Sequence, residues 1–180
     1  MKNSHLRRHQ GLHFHQHVFI YQAAIPAKQS ELQTGIPASI TIAQAILESG
    51  WGRHHIGSAN NYFGVKAHKL AGKINSGPVA TGYADVATKE HIKGEDITIV
   101  DHFRTYNSMA DSFIDHGLFL KNNKRYSLAL KRYAQTGDTN EFARDLQKAG
   151  YASALYYADL LIKIMTKYHL NQYNQKQISP

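Results

Sequence analysis

Between Pro37 and Gly50 the chain reads as a helix with an apolar stripe that stops at a glycine, and its last turn carries one carboxylate, Glu48. Ile42, Ala45, Ile46 and Ser49 recur at helical spacing. Pro37 suits a first turn, and Ser39 is placed to satisfy an orphan backbone N–H. Gly50 is the residue that most easily turns left-handed after a last turn. The free carbonyls at that end carry the negative pole of the helix dipole, and Trp51, the only tryptophan, stands next in line to exclude water. Both effects disfavour an ionised carboxylate and raise its pKa, which is what a general acid working near neutrality requires. Glutamate is also simply a good helix former, so the neighbourhood has to decide between an acid and a solvated side chain.

The rest of the chain reads as one mainly helical domain with extensions. Its 180 residues and 42% hydrophobic content are enough for a real core. Residues 1–16 are polar, basic and histidine-rich, and read as an extension. His5, His9, His13 and His17 recur every four residues, a helical alignment open to a divalent metal, but no carboxylate or cysteine joins them and a frayed terminus is the simpler reading; no metal is expected. The catalytic-sized domain is expected over residues 17–170, opening with a core helix from Val18 to about Thr34 in which Pro26 is a kink or an early-turn residue and Gly35 the stop. Residues 50–61 read as loop, and Thr88 to Ile92 and Ile97 to His102 as two short strands joined through Lys93-Gly94-Glu95-Asp96. Ser108 and Asp111 form a capping box before an apolar face of Met109, Phe113, Ile114, Leu118 and Phe119. Short helices follow around Tyr126 to Tyr133, from a Thr139 cap to the Gly150 stop, and from Leu155 to Tyr168, and residues 171–180 read as a loose polar tail.

Five ordered segments resemble glycoside hydrolase family 73, the bacterial β-N-acetylglucosaminidases that include the wall-cutting domain of flagellar rod-cap proteins. They are Ile36 through Gly52, Asn61-Tyr62-Phe63-Gly64-Val65-Lys66, Thr88-Lys89-Glu90, Phe103-Arg104-Thr105-Tyr106, and Ala149-Gly150-Tyr151-Ala152 with Tyr157-Ala158. The resemblance implies a mainly α, lysozyme-like α+β fold, with a small inserted β-hairpin lobe flanking a substrate cleft. It implies Glu48 as the acid that protonates the glycosidic oxygen, Glu90 as the second carboxylate, and Tyr151 as a tyrosine near the acid that positions the N-acetyl group or water. Glu90 activates the attacking water, or else the substrate's own N-acetyl oxygen attacks and Glu90 contributes less; the sequence leaves both routes open. Trp51, Asn61, Tyr62 and Tyr157 are the expected substrate-binding residues, whereas Phe63 reads as core. Two departures stand out: His68 to Ala87 holds no tryptophan where many relatives have one, and Ser153-Ala154-Leu155-Tyr156 replaces the usual polar or proline-containing link.

The function so implied is cleavage of the β-1,4 bond after N-acetylglucosamine in peptidoglycan, without metal or organic cofactor. A muramidase or lytic transglycosylase sharing the helix-end glutamate is the nearest alternative, and a non-catalytic wall-binding or assembly module the alternative of another class. The formal net charge of +8 suits an anionic partner, and peptidoglycan glycan strands fit it; nucleic acid does not, because no recognition module or concentrated basic helix is present. The longest N-terminal apolar run, Val18 to Tyr21 continuing into Ala23 to Ile25, is broken by Gln22 and Pro26, too short to span a bilayer and without a signal-peptide pattern. No membrane insertion and a monomer are expected, in a periplasmic, cell-wall or secreted setting.

Overall fold

The computed structural model describes the backbone of residues 2–54, 59–70, 73–75, 77–92 and 95–176, and the side chains of 13–54, 59–68, 77–88 and 97–176. Helix α1 (Lys2–Thr34) begins well before the expected Val18 and keeps Pro26 in its interior, not in an early turn. Proline removes one helical hydrogen bond, but Phe19, Ala23, Ala27 and Ser30 are buried on both sides of it, and that packing outweighs a single lost bond. Gly35 ends the helix at φ 76°, its N–H donating to the Glu31 carbonyl at 2.8 Å.

Helix α2 (Ala38–Ser49) is the centre of the molecule, with every residue from Ala38 to Ile46 buried. The expected stripe is therefore a whole buried cylinder, and its first turn is not capped by Ser39. The Glu31 carboxylate accepts from the Ala38 N–H at 3.2 Å, and the Asn174 side chain accepts from the Ser39 N–H at 2.8 Å. The same Glu31 oxygen accepts from the Gln175 N–H at 3.0 Å. The segment expected to be loose is thus held through residue 175, with a 3-10 turn at Leu170–Tyr173 and Asn171 accepting from the Thr139 hydroxyl. A buried helix start needs partners for its free N–H groups, and here one comes from the preceding helix and one from the far end of the chain.

Strands β1 (His68–Leu70) and β2 (Lys73–Asn75) form a short antiparallel pair, and β3 (Gly82–Ile92) and β4 (Glu95–Thr105) a long one. The long hairpin exceeds the two expected strands at both ends. Glu95 and Asp96 belong to β4, opposite Ile92 and His91, and not to the turn. Residues 93 and 94, also expected in that turn, lie outside the described residues. The arm exposes Tyr83, Asp85, Ala87 and Val100 on one face and only half-buries Gly82, Ala84, Val86 and Thr88 on the other, so hydrophobic alternation underestimates its length. Its base is held by an antiparallel bridge between Lys66 and Phe103 and by the Arg104 N–H donating to the Val65 carbonyl at 3.0 Å.

Helix α3 (Met109–Asn122) has the expected cap, the Ser108 hydroxyl accepting from the Asp111 N–H. It lies so close to α1 that a Cβ at Gly117 would stand 2.5 Å from the Ser30 hydroxyl, which itself donates to the Phe113 carbonyl. Helices α4 (Ser127–Thr136), α5 (Thr139–Lys148) and α6 (Tyr157–Lys167) close the lobe. Asp138, not Thr139, caps α5, accepting from the N–H groups of Asn140 and Glu141. Across the departing link, Gln147 secures the start of α6: it accepts from the Ala158 N–H at 2.7 Å and donates to the Leu155 carbonyl. No helix among the described residues is long and apolar enough to cross a membrane.

Candidate active site

Helix α2 ends in three successive left-handed residues, Gly50 (φ 56°), Trp51 (φ 66°) and Gly52 (φ 74°). For tryptophan that conformation is strained, and packing holds it: the indole stands edge-on to Tyr168 at 4.9 Å and to Phe19 at 6.2 Å. Trp51 is not among the residues that line the hollow at Glu48. With Phe19, Tyr62 and Met109 it lines a separate hollow of about 230 Å³. Trp51 and Tyr62, expected to bind substrate, stand in this hollow and not in the one that Glu48 lines.

Glu48 opens instead onto a cleft of about 370 Å³ walled by Phe63, Arg104, His116, Phe119, Tyr126 and Tyr151. Its side chain is exposed on the cleft side and enclosed by protein on the others, and that burial raises the carboxyl above its usual range.

Tyr151 follows the left-handed Gly150 (φ 75°), and its N–H donates to the Leu146 carbonyl at 3.0 Å. This turn throws the ring into the cleft, against Tyr157 with ring centres 5.3 Å apart and against the His116 imidazole, whose Nε2 is 2.9 Å from the hydroxyl. Burial first, then the neighbouring Tyr157 and the charge of Glu48, push the Tyr151 hydroxyl well up, so it stays protonated. Tyr157 is buried behind it and accepts from the Gln44 amide at 3.0 Å, one helical turn before Glu48. It is a supporting ring and does not line the cleft.

Asn61, expected to bind substrate, is buried: its amide donates both protons to the carbonyls of Val65 and Arg104, and its oxygen accepts from the Val65 N–H. It clamps the loop to β4. Phe63 is buried as expected, stacked on His116 with ring centres 4.0 Å apart, and its edge reaches the cleft. Glu90 lies on β3 opposite Ile97, near the hairpin tip. Its side chain lies outside the described residues.

Several residues of the site escaped the sequence reading. Arg104 donates to Asp115 at 2.8 Å, the Tyr106 hydroxyl donates to the same carboxylate oxygen at 2.6 Å, and together they lock β4 onto α3. Lys66 pairs with Asp101, and Arg125 stands at the rim, donating to the Gly150 carbonyl at 3.4 Å. Beside Glu48 the cleft is lined by Lys66, Arg104 and Arg125, of which Lys66 and Arg104 are ion-paired. His116 is the principal omission; its only signal was a position three residues beyond Phe113, on the buried face of α3. Among the described residues no three histidine, cysteine or acidic side chains gather to hold a metal.

A glycosidic bond breaks when its oxygen is protonated as it leaves, and a raised carboxyl between a helical lobe and a β arm places this fold among the lysozyme-like glycoside hydrolases. Within that class the chain belongs to the glucosaminidase family, its residues 24–170 matching the family described as mannosyl-glycoprotein endo-beta-N-acetylglucosaminidase. It is 34% identical over 148 residues to the peptidoglycan hydrolase FlgJ of Vibrio parahaemolyticus, a match covering 78% of this chain and 44% of that protein. It is 37% identical over 139 residues to the exo-glucosaminidase LytG of Bacillus subtilis, covering 76% of this chain and 46% of that one. The chain thus spans under half the length of these relatives. Among solved structures, the catalytic domain of the autolysin Auto from Listeria monocytogenes superposes with a TM-score of 0.73 at 28% identity, covering 89% of this chain and 88% of that one. The truncated glycoside hydrolase domain of Salmonella typhimurium FlgJ gives 0.67 at 30% identity, covering 86% and 97%.

Proposed function

We propose that the chain hydrolyses the β-1,4 bond between N-acetylglucosamine and N-acetylmuramic acid within peptidoglycan strands, as an endo-β-N-acetylglucosaminidase with Glu48 as general acid. The observation that carries this reading is the raised Glu48 carboxyl beside the protonated Tyr151 hydroxyl in one cleft. Glu48 gives its proton to the leaving oxygen as positive charge builds at the anomeric carbon. Tyr151 orients the acetamido group, and Arg125, beside the ion-paired Lys66 and Arg104, offers a cation to a polymer that carries carboxylates. In this reading residues 17–170 are the catalytic domain, 1–16 an extension and 171–180 a tail. The domain works as a monomer outside the cytoplasm, where its substrate lies, in the manner of an autolysin.

Reducing-end analysis of digested glycan tests the assignment. A new N-acetylglucosamine end is the expected product, and a muramic or anhydromuramic end would replace this reading by that of a muramidase or lytic transglycosylase. Release of single sugars from chain ends only would replace endo by exo action.

Glu90 is assigned to activating the water that attacks opposite the leaving group. Glu90→Gln is then expected to lower kcat on purified cell wall by about 10²-fold or more, the scale of general-base catalysis. A loss of only a few-fold would transfer that role to the substrate's acetamido oxygen.

A further inference from the structure

The mechanism above uses Tyr151 but does not explain what holds its hydroxyl, and the answer lies on α3. His116 is fully buried, and its ring lies flat on Phe63, 4.0 Å between centres with 12° between planes, so the imidazole cannot swing without breaking that stack. Its Nε2 is 2.9 Å from the Tyr151 hydroxyl, and its Nδ1 meets no hydrogen-bond partner among the described residues. We propose that His116 is a positioning residue for the reaction, a neutral imidazole whose Nε2–H donates to the Tyr151 oxygen and turns that hydroxyl's own proton toward Tyr157 and the cleft. The proposal rests on the reading of Tyr151 given above.

Three observations support it. Burial drives the His116 pKa down to about 3, so the ring carries one proton across the working pH range and neither shuttles protons nor pairs as a cation. The tautomer follows from the Nδ1 environment: a buried N–H without a partner is the costlier orphan, so the proton sits on Nε2, where an acceptor waits. Tyr151 lies outside regular structure, in a turn after a glycine, whereas His116 stands in the middle of α3, which is locked to α1 by the Ser30 bond to the Phe113 carbonyl. A loop side chain is thereby referenced to the rigid core, which is how a catalytic hydroxyl keeps its direction.

The test compares His116→Gln with His116→Asn, measured for kcat and KM on soluble glycan fragments. The glutamine amide reaches the place of Nε2 and can still donate to Tyr151; the asparagine amide stops at the place of Nδ1. Expected is a fall in kcat of about tenfold for His116→Asn, the worth of one lost hydrogen bond, with KM little changed and most of the loss recovered in His116→Gln. His116→Phe, which keeps the stack on Phe63 and removes the bond, adds a cycle with Tyr151→Phe: the double variant is expected to be no slower than Tyr151→Phe alone. Equal kcat in the Gln and Asn variants, or losses that multiply in the cycle, would overturn the positioning role while Tyr151→Phe stays slow. Parental kcat in Tyr151→Phe would instead remove the reading of Tyr151, and this inference with it. Should His116→Phe not fold, the Gln and Asn pair decides alone.

Discussion

Glu48→Gln is expected to leave the protein folded and to lower hydrolysis of purified cell wall by at least about 10³-fold, seen as loss of clearing beside the parent in a zymogram. The amide keeps the shape and the helix end and removes only the proton. Equal clearing by both proteins would remove Glu48 from the reaction. The pH dependence follows from the direction of its shift. Burial raises the carboxyl, so the acid form persists above the usual carboxylate range, and activity falls on the alkaline side as Glu48 ionises. Stability carries the opposite mark of the same fact. A carboxyl whose folded pKa is raised contributes stability below its unfolded pKa and loses it as pH rises through the folded one. At neutral pH the glutamine variant is therefore expected to melt at the parental temperature or above it, and the difference should vanish in acid.

Glu31→Ala is expected to destabilise the fold by about 3 kcal/mol, the cost of leaving buried donors without a charged acceptor. One carboxylate oxygen serves the N–H groups of Ala38 and Gln175, and Tyr133 bonds to the same side chain. Burial raises Glu31 more than these bonds lower it, and the Tyr133 hydroxyl is pushed up to about 12, by burial first and then by Glu31. Denaturant unfolding measures the loss, and Glu31→Gln, which keeps an acceptor oxygen, should lose less. An unchanged midpoint in Glu31→Ala would show that solvent reaches the first turn of α2 and that the cap is dispensable. Because this residue starts the helix that Glu48 ends, a loosened cap should also lower activity at temperatures where the parent is still folded.

The parts of the site that sequence exposes are those written in local patterns. Glu48 in a last turn before Gly50, Tyr151 after Gly150 and the Ser108 cap each depend on neighbours a few residues away, and the structure keeps each local geometry. The long hairpin was only half visible, since a two-stranded arm with little to bury leaves weak alternation. Asn61 looked like a cleft residue because polar side chains in a loop usually face water; two of its three bonds close its own loop onto Val65, and the third, to Arg104, depends on β4 arriving from 43 residues away. Trp51 misled for a similar reason. Its adjacency to Glu48 is along the chain, and after three left-handed residues its ring packs on Tyr168 and Phe19.

By itself, then, the chain determines its family, its mainly helical class and the helix-end carboxylate that we propose supplies the proton, because ordered motifs, periodicity and helix stops are local properties that survive without coordinates. What only the tertiary structure decided is the environment that makes this carboxyl different from others: the walls of Tyr151, Tyr126 and Phe63 around Glu48, the His116 contact to Tyr151, and the capping of α2 by Glu31 and Asn174. Desolvation and hydrogen-bond partnership depend on distance in space, and here the partners come from α1, α3 and the end of the chain, separations that no spacing rule along the sequence can reach.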